Sequence, residues 1–254
     1  MDILTSIDSH ILTLEFNRPE KKNAINVAMY EAMAAAIEQA QTEASVRVVV
    51  IHGKAEIFTS GNDLKDFVEH PPSDEASPVF RFLHAISHLD KPLLAAVRGA
   101  AVGIGCTLLL HCDLVYAGES ATFCLPFVKL GLVPEAASSL LLPLRAGHQR
   151  AAQCFFFGDI LSAESARQMG MVTEILADGI VLEHTLAQAT RLVGLPISAV
   201  RATKRLLKQH QTEAIDRRMT EEAHEFRLRL SSAEAREAFA AFFEHRTPDF
   251  SRLA

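Results

Sequence analysis

Two stretches of this chain share one local grammar: an apolar strand, a glycine-containing turn, then a helix. The first runs from Arg47 to His52, ends at Gly53, and passes through Ser60, Gly61 and Asn62 to a helix starting at Leu64. The second runs from Pro92 to Val97, through Gly99–Gly105, and into an apolar helix. Aliphatic strands without polar alternation are buried on both faces, as in parallel sheets. Consecutive strand-to-helix turns set backbone donors at the same end of the sheet, where successive N–H groups can receive an anion. The Ser60–Asn62 turn taken alone is equally a plain turn. The grammar as a whole specifies an α/β protein.

The remaining segments fit around these units. Period-2 alternation over Ser6–Asp8 and His10–Phe16 predicts a β-hairpin. Asn26 is placed to N-cap a helix over Val27–Thr42, with Met29, Met33, Ile37 and Ala40 on one stripe. His70–Pro78, with three prolines, reads as an exposed, mobile insertion, and Phe80–Leu89 as an amphipathic helix. Leu114–Tyr116 and Ala121–Phe123 are short strands; Pro134 and Glu135 are expected to begin the next helix, proline being favoured there. Beyond Arg145 the pattern is helical over His148–Phe157, Ser162–Met169, Val181–Val193, Ser198–His210, Glu213–Arg229 and Glu234–Glu244, and only Val172–Ile175 looks extended. Ser231 with Glu234 resembles a capping box. With 254 residues, 49% of them hydrophobic, the chain can bury one core to about residue 196 and carry a helical part after it.

A net charge of −6 gives no attraction to nucleic acid or to an anionic membrane, so partners are expected among small molecules and other subunits. No stretch approaches a membrane span, and MDILTSIDSH lacks the features of a signal peptide, so a cytoplasmic location is expected. Cys106, Cys112, Cys124 and Cys154 form no CxxC pair and read as reduced core thiols. His111, Cys112 and Asp113 are adjacent in sequence and so point apart, and no metal site is expected. GAAVGIG lacks both the GxGxxG spacing of a dinucleotide turn and the Gly-Lys-Ser/Thr of a P-loop. One acid, Glu135, stands among Leu132, Val133, Ala137, Phe127 and Leu140, surroundings that disfavour its charged form. As a first-turn helix acid it would instead simply suit the dipole.

Five segments in order, NRPEKKNAIN, FTSGNDL, KPLLAAVRGAAVGIGCTLLLHCDLVYAG, LGLVPEAASS and FFEHRTPDF, resemble the crotonase, or enoyl-CoA hydratase/isomerase, superfamily. The resemblance implies an α/β crotonase-like (ClpP/crotonase) spiral of β-β-α units over residues 1–196, holding an acyl-CoA site. It also implies a C-terminal helical trimerisation or lid region over 197–254, in a homotrimer or dimer of trimers. The substrate implied is an acyl-CoA thioester, coenzyme A being part of the substrate with no separate cofactor. Its thioester oxygen would be held by the N–H groups of Asn62 and Ile104. Substrate contacts are implied at Lys22, Ala24, Ser60, Gly61, Asp63 and Leu64, and at Gly103, Phe127 and Pro134. Arg246 follows His245 where the family often has a Lys-Arg pair reaching a nucleotide phosphate.

The hydratases of this superfamily use two glutamates, at positions that here hold Thr107 and Phe127. Glu135 instead matches the lone glutamate of Δ3,Δ2-enoyl-CoA isomerases of the peroxisomal type, which SGNDL also resembles, although Ala136 follows it where that group has glycine. The resemblance therefore implies isomerisation with Glu135 as the proton carrier. A hydratase or other crotonase-type lyase, and a non-catalytic acyl-CoA binder, are the alternatives.

Overall fold

The computed structural model describes residues 1–72, 76–251 and 253. β1 (Ile3–Asp8) and β2 (Ile11–Phe16) form the predicted antiparallel hairpin, closed by Ser9 and His10 at φ 47° and 67°. α1 (Val27–Thr42) follows, its Met29 N–H capped by Asn26 Oδ1 at 2.8 Å, and leads to β3 (Val48–Gly53), parallel to β2. After α2 (Leu64–Glu69) and α3 (Pro78–Ser87) come β4 (Leu93–Val97), β5 (Ala100–Val102) and α4 (Ile104–Thr107). Then come β6 (Leu114–Gly118), β7 (Thr122–Cys124), α5 (Ser138–Ala146), α6 (His148–Phe157) and β8 (Leu161–Ser162). α7 (Ala163–Gln168), β9 (Glu174–Leu176) and α8 (Val181–Val193) precede three further helices: α9 (Ile197–Lys208), α10 (Thr212–Leu230) and α11 (Ala233–Phe243).

Among the described residues the strands form a six-stranded sheet, ordered β1-β2-β3-β4-β6-β9, and a three-stranded sheet, ordered β5-β7-β8. From β2 to β9 every pairing in the larger sheet is parallel. The unbroken apolar runs of β3 and β4 have the predicted cause, since both faces are covered. Val49, Ile51, Leu93 and Ala95 face the main core with Met33 and Ile37 of α1, whereas Val48, Val50, Leu94 and Ala96 face Val181 and Ala189 of α8. Burying an aliphatic side chain of this size contributes about 2 kcal/mol.

Several sequence expectations change. The second apolar helix is only the four residues of α4, continued as a 3-10 turn over Leu108–His111. Glu135 is not on a helix: α5 begins at Ser138, because Ala136 and Ala137 take left-handed angles, φ 61° and 54°. Ser232, not Ser231, caps α11, its Oγ accepting the Ala235 N–H at 3.0 Å. β8 is an extended segment that periodicity did not single out. Within the predicted insertion over 70–78, residues 73–75 lie outside the described residues, Pro72 is buried, and Pro78 opens α3.

The loop after β3 is fastened by Asn23, which is fully buried. Its Nδ2 faces the carbonyls of Ile57 at 2.9 Å and of Lys54 and Phe58 at 3.2 Å, while its own carbonyl accepts Thr59 Oγ1–H at 2.6 Å. A buried carbonyl left without its donor costs its desolvation. Asn23→Ala is therefore expected to lower stability by about 2 kcal/mol or more, read as a lower urea midpoint with an unchanged circular-dichroism spectrum.

Candidate active site

The two glycine turns meet. Thr59 N–H donates to Ala100 O at 2.9 Å and Val102 N–H to Thr59 O at 3.1 Å, so the loop after β3 runs as a parallel bridge beside β5. Gly61, at φ 89°, lies where a side chain would sit 2.9 Å from Val102 O and 3.9 Å from Gly103 N. No residue with a Cβ fits there. Gly103, at φ 55° and ψ −117°, turns β5 into α4 in a conformation reserved for glycine. The predicted pair is thus brought together: Asn62 follows Gly61 and Ile104 follows Gly103 at abutting turns. Among the described residues neither of their N–H groups donates to a protein acceptor. The Asn62 side chain is held by Tyr30, whose hydroxyl donates to Asn62 Oδ1 at 2.6 Å.

Tyr30 was not singled out from sequence. The signal existed, because a tyrosine beside the buried stripe of α1 must find a partner for its hydroxyl.

Glu135 is 8% exposed, and Thr107 Oγ1–H donates to its Oε1 at 2.5 Å. Burial pushes its pKa up to about 8, Thr107 pulls against that, and the Glu222 carboxylate adds to it. The burial and the upward shift expected from sequence are therefore found, although Thr107, expected only as a missing acid, turns out to be the partner of the remaining one. The left-handed Ala136–Ala137 turn costs on the order of 1 kcal/mol per residue. It is held from two sides. His111 Nε2 lies 2.8 Å from Ala136 O, and burial drives the imidazole pKa down to about 3, so the neutral ring donates. Glu222 of α10 accepts Ala137 N–H at 2.6 Å and Ser139 N–H at 2.9 Å.

Glu135 lines a cavity of 580 Å³ walled by Phe80, Leu83, Ala136, Met219 and Ala223. Among the described residues three other carboxylates face it: Glu38 is held by Arg81 at 2.6 Å and Glu222 by backbone N–H groups, while Asp216 Oδ1 lies 3.3 Å from His88 Nε2 and has no hydrogen-bond partner. α10 closes the cavity, with Phe226 edge-on to Phe67 of α2 at 5.9 Å and Arg227 over Phe80 at 5.8 Å.

The other predicted residues divide. Lys22 is exposed, and its carbonyl accepts the Ser60 N–H at 3.0 Å, while Ile25, next to Ala24, donates its N–H to Gly61 O at 2.8 Å, so this segment runs beside the Gly61 turn. Asp63 serves structure: it caps α2 and accepts Arg18 Nη1–H at 2.8 Å; burial opposes its charge, yet Arg18 holds the carboxyl below the usual range. Leu64 packs against the main core, Phe127 is buried beside Phe155, and Pro134 is half-buried next to Glu135. Arg246 is not presented as a free cation, because its guanidinium donates to Glu237 at 3.0 Å and to Glu244 at 2.6 Å beside the end of α11.

The family described as enoyl-CoA hydratase/isomerase matches residues 6–252. The chain is 34% identical over 250 residues to the 2,3-dehydroadipyl-CoA hydratase of Escherichia coli (strain K12), covering 98% of each. It is 35% identical over 246 residues to enoyl-CoA delta isomerase 2 of Rattus norvegicus, covering 94% of this chain and 63% of that protein. The crystal structure of an enoyl-CoA hydratase/isomerase from Pseudoalteromonas atlantica T6c superposes with a TM-score of 0.94 at 41% identity, covering 98% of this chain and 100% of that one.

A carboxyl whose folded pKa is raised from 4.5 to about 8 binds its proton more tightly in the folded than in the unfolded state. Its stabilisation is therefore complete below pH 4.5 and is lost as pH rises to about 8, a span worth several kcal/mol. Glu135→Gln removes this loss. Its melting temperature relative to wild type should climb between pH 5 and about pH 8 and level off above that; a pH-independent difference would contradict the assignment of the shift to Glu135.

Proposed function

The chain belongs to the enoyl-CoA hydratase/isomerase family and has the crotonase fold, and from its site we propose that it is a Δ3,Δ2-enoyl-CoA isomerase. The observation that carries this reading is the isolation of Glu135. Among the described residues it is the one carboxyl facing the cavity that is partnered only by a hydroxyl, while Glu38 is bound by Arg81, Glu222 by backbone N–H groups, and Asp216 lies beside His88. Addition of water calls for an acid and a base acting together; a double-bond shift needs one group that takes a proton and gives it back.

In the proposed reaction a 3-enoyl-CoA binds with its thioester oxygen at the N–H groups of Asn62 and Ile104. Glu135 removes a proton from the α carbon, and the electron pair spreads through the thioester and the C3–C4 double bond as a dienolate. The two N–H groups stabilise the developing oxyanion, each by about 3 kcal/mol in comparable sites. Glu135 then returns the proton to the γ carbon, leaving the 2-trans double bond. Nothing is gained or lost overall, and no cofactor takes part. Lys22, exposed beside the Ser60 turn, suits the phosphates of coenzyme A, with Ala24, Ser60, Gly61, Asp63, Leu64, Gly103, Phe127 and Pro134 shaping the groove. Arg246, already shared by two carboxylates, is left out of this set. The acids around the cavity favour an uncharged acyl chain.

We further infer that copies of the chain associate as a homotrimer or dimer of trimers through an exposed apolar face. Phe156 and Phe157 end α6, Phe242 and Phe243 end α11, and both helices pack on the turn that carries the exposed Val128.

Incubation with 3-hexenoyl-CoA should give the conjugated 2-enoyl product, followed by absorbance. Glu135→Gln should lower kcat about a thousandfold with KM little changed. kcat/KM should rise with pH towards about 8, because the base form is the deprotonated one. Near wild-type turnover by the variant would sink the isomerase; binding without turnover by the wild type would favour an acyl-CoA binder, and faster hydration of a 2-enoyl-CoA a hydratase. Sedimentation should give three or six copies, and Phe242→Ser with Phe243→Ser should shift the distribution towards monomer.

A further inference from the structure

α10 is polar along most of its length, yet Ile215, Met219, Glu222 and Phe226, spaced four, three and four residues apart, form the stripe it turns towards the body of the protein. A carboxylate in that stripe, 6% exposed, is out of place unless it is used. Its use is visible. α5 starts after Ala137, whose methyl side chain offers no cap, so the first N–H groups of the helix need an acceptor from elsewhere. Both oxygens of Glu222 supply it, at Ala137 and Ser139. These two residues flank Ser138, and Glu135 lies at the head of the same turn, its carbonyl accepting the Ser138 N–H at 3.1 Å.

We propose that Glu222 is a positioning residue for Glu135: held as an anion by two backbone N–H groups, it fixes the turn that carries Glu135 and sets a like charge against that acid across one cavity. The role of Glu135 on which this rests is that of the proposed isomerase. Both carboxyls line the one cavity and the Glu222 charge pushes the Glu135 pKa up; of two interacting carboxyls the one with the better donors keeps its charge. Burial leaves the Glu222 carboxyl above its ordinary value, with the Ser139 side chain, the Ser139 and Ala137 N–H groups and Arg218 pulling against it. Glu135 has only the Thr107 hydroxyl against its own burial, so it is the member that takes the proton. The other titratable groups around the pair are Tyr30 and Glu38 of α1, Arg81 and His84 of α3, Cys106 of α4, His111, and Asp216 and Arg218 of α10 itself. Arg81 is neutralised by Glu38, and His111 is neutral. Glu222 is thus the charge whose removal Glu135 should register.

The test reads the protonation of Glu135 directly, in the free protein, by isotope-edited infrared spectroscopy, with the Glu135 band identified by its loss in Glu135→Gln. In Glu222→Gln, checked for folding by circular dichroism, this titration should move down by about one pH unit. kcat should fall about tenfold with KM within a few-fold, as expected when a reacting group is displaced. Glu222→Asp, which keeps the charge but shortens the arm, should retain the titration and lose kcat. An unmoved titration in folded Glu222→Gln overturns the proposal. Should that variant not fold, hydrogen exchange on the wild type decides: the Ala137 and Ser139 amides must be protected, and rapid exchange at both overturns it. Because none of the spectroscopic readouts needs substrate, a wild type that does not isomerise would remove the functional reading while leaving this result to stand.

Discussion

The parallel bridge between the Thr59 loop and β5 is the constraint on which the site depends. Two backbone hydrogen bonds and two glycines bring together turns separated by about forty residues of sequence, and neither Asn62 nor Ile104 contributes a side chain to what their N–H groups can do. Donors of this kind are stiff because sheet and core hold the backbone, and rigidity is what makes a prearranged dipole useful to a developing charge. Asn23 and Thr59, both fully buried, fix the loop with their polar groups, so that the polar interior at this end of the molecule serves geometry.

Against that stiff floor stands an acid kept where an acid is unstable. Glu135 is held close to neutral titration by burial, and its turn is kept left-handed at two consecutive alanines by His111 on one side and Glu222 on the other. Strain and desolvation concentrate in three residues, and the groups that offset them come from the turn after α4 and from α10. This is the usual relation between a functional site and the fold that carries it: the local rules are broken where chemistry is possible, and the neighbours make good the loss.

The parts legible in sequence were those where one period governs. The hairpin, α1, β3 and β4 followed from alternation, spacing and β-branching, because burial on one or both faces imposes those patterns. That two glycine turns lie at the same end of the sheet was likewise accessible, whereas the crotonase fold was expected from the resemblance of five segments to that superfamily. The start of α5 was not: Pro134 and Glu135 carry the signature of a helix N-terminus, and what overrules it is a carboxylate 85 residues away. Glu222 itself is one of several acids on α10, distinguishable only by its place in the stripe from Ile215 to Phe226. Tertiary partners of single polar residues leave little trace in a periodic pattern.

That separation has a temporal side. A chain made from its N-terminus has the residues of β5, α4 and the Glu135 turn in hand well before residues 212–230 exist. Until α10 arrives, the first N–H groups of α5 lack their carboxylate and the cavity lacks the wall formed by Met219 and Ala223. The nascent chain can therefore own both glycine turns while the turn that carries Glu135 still lacks that support. A chain interrupted before α10 lacks the carboxylate that holds the turn of Glu135.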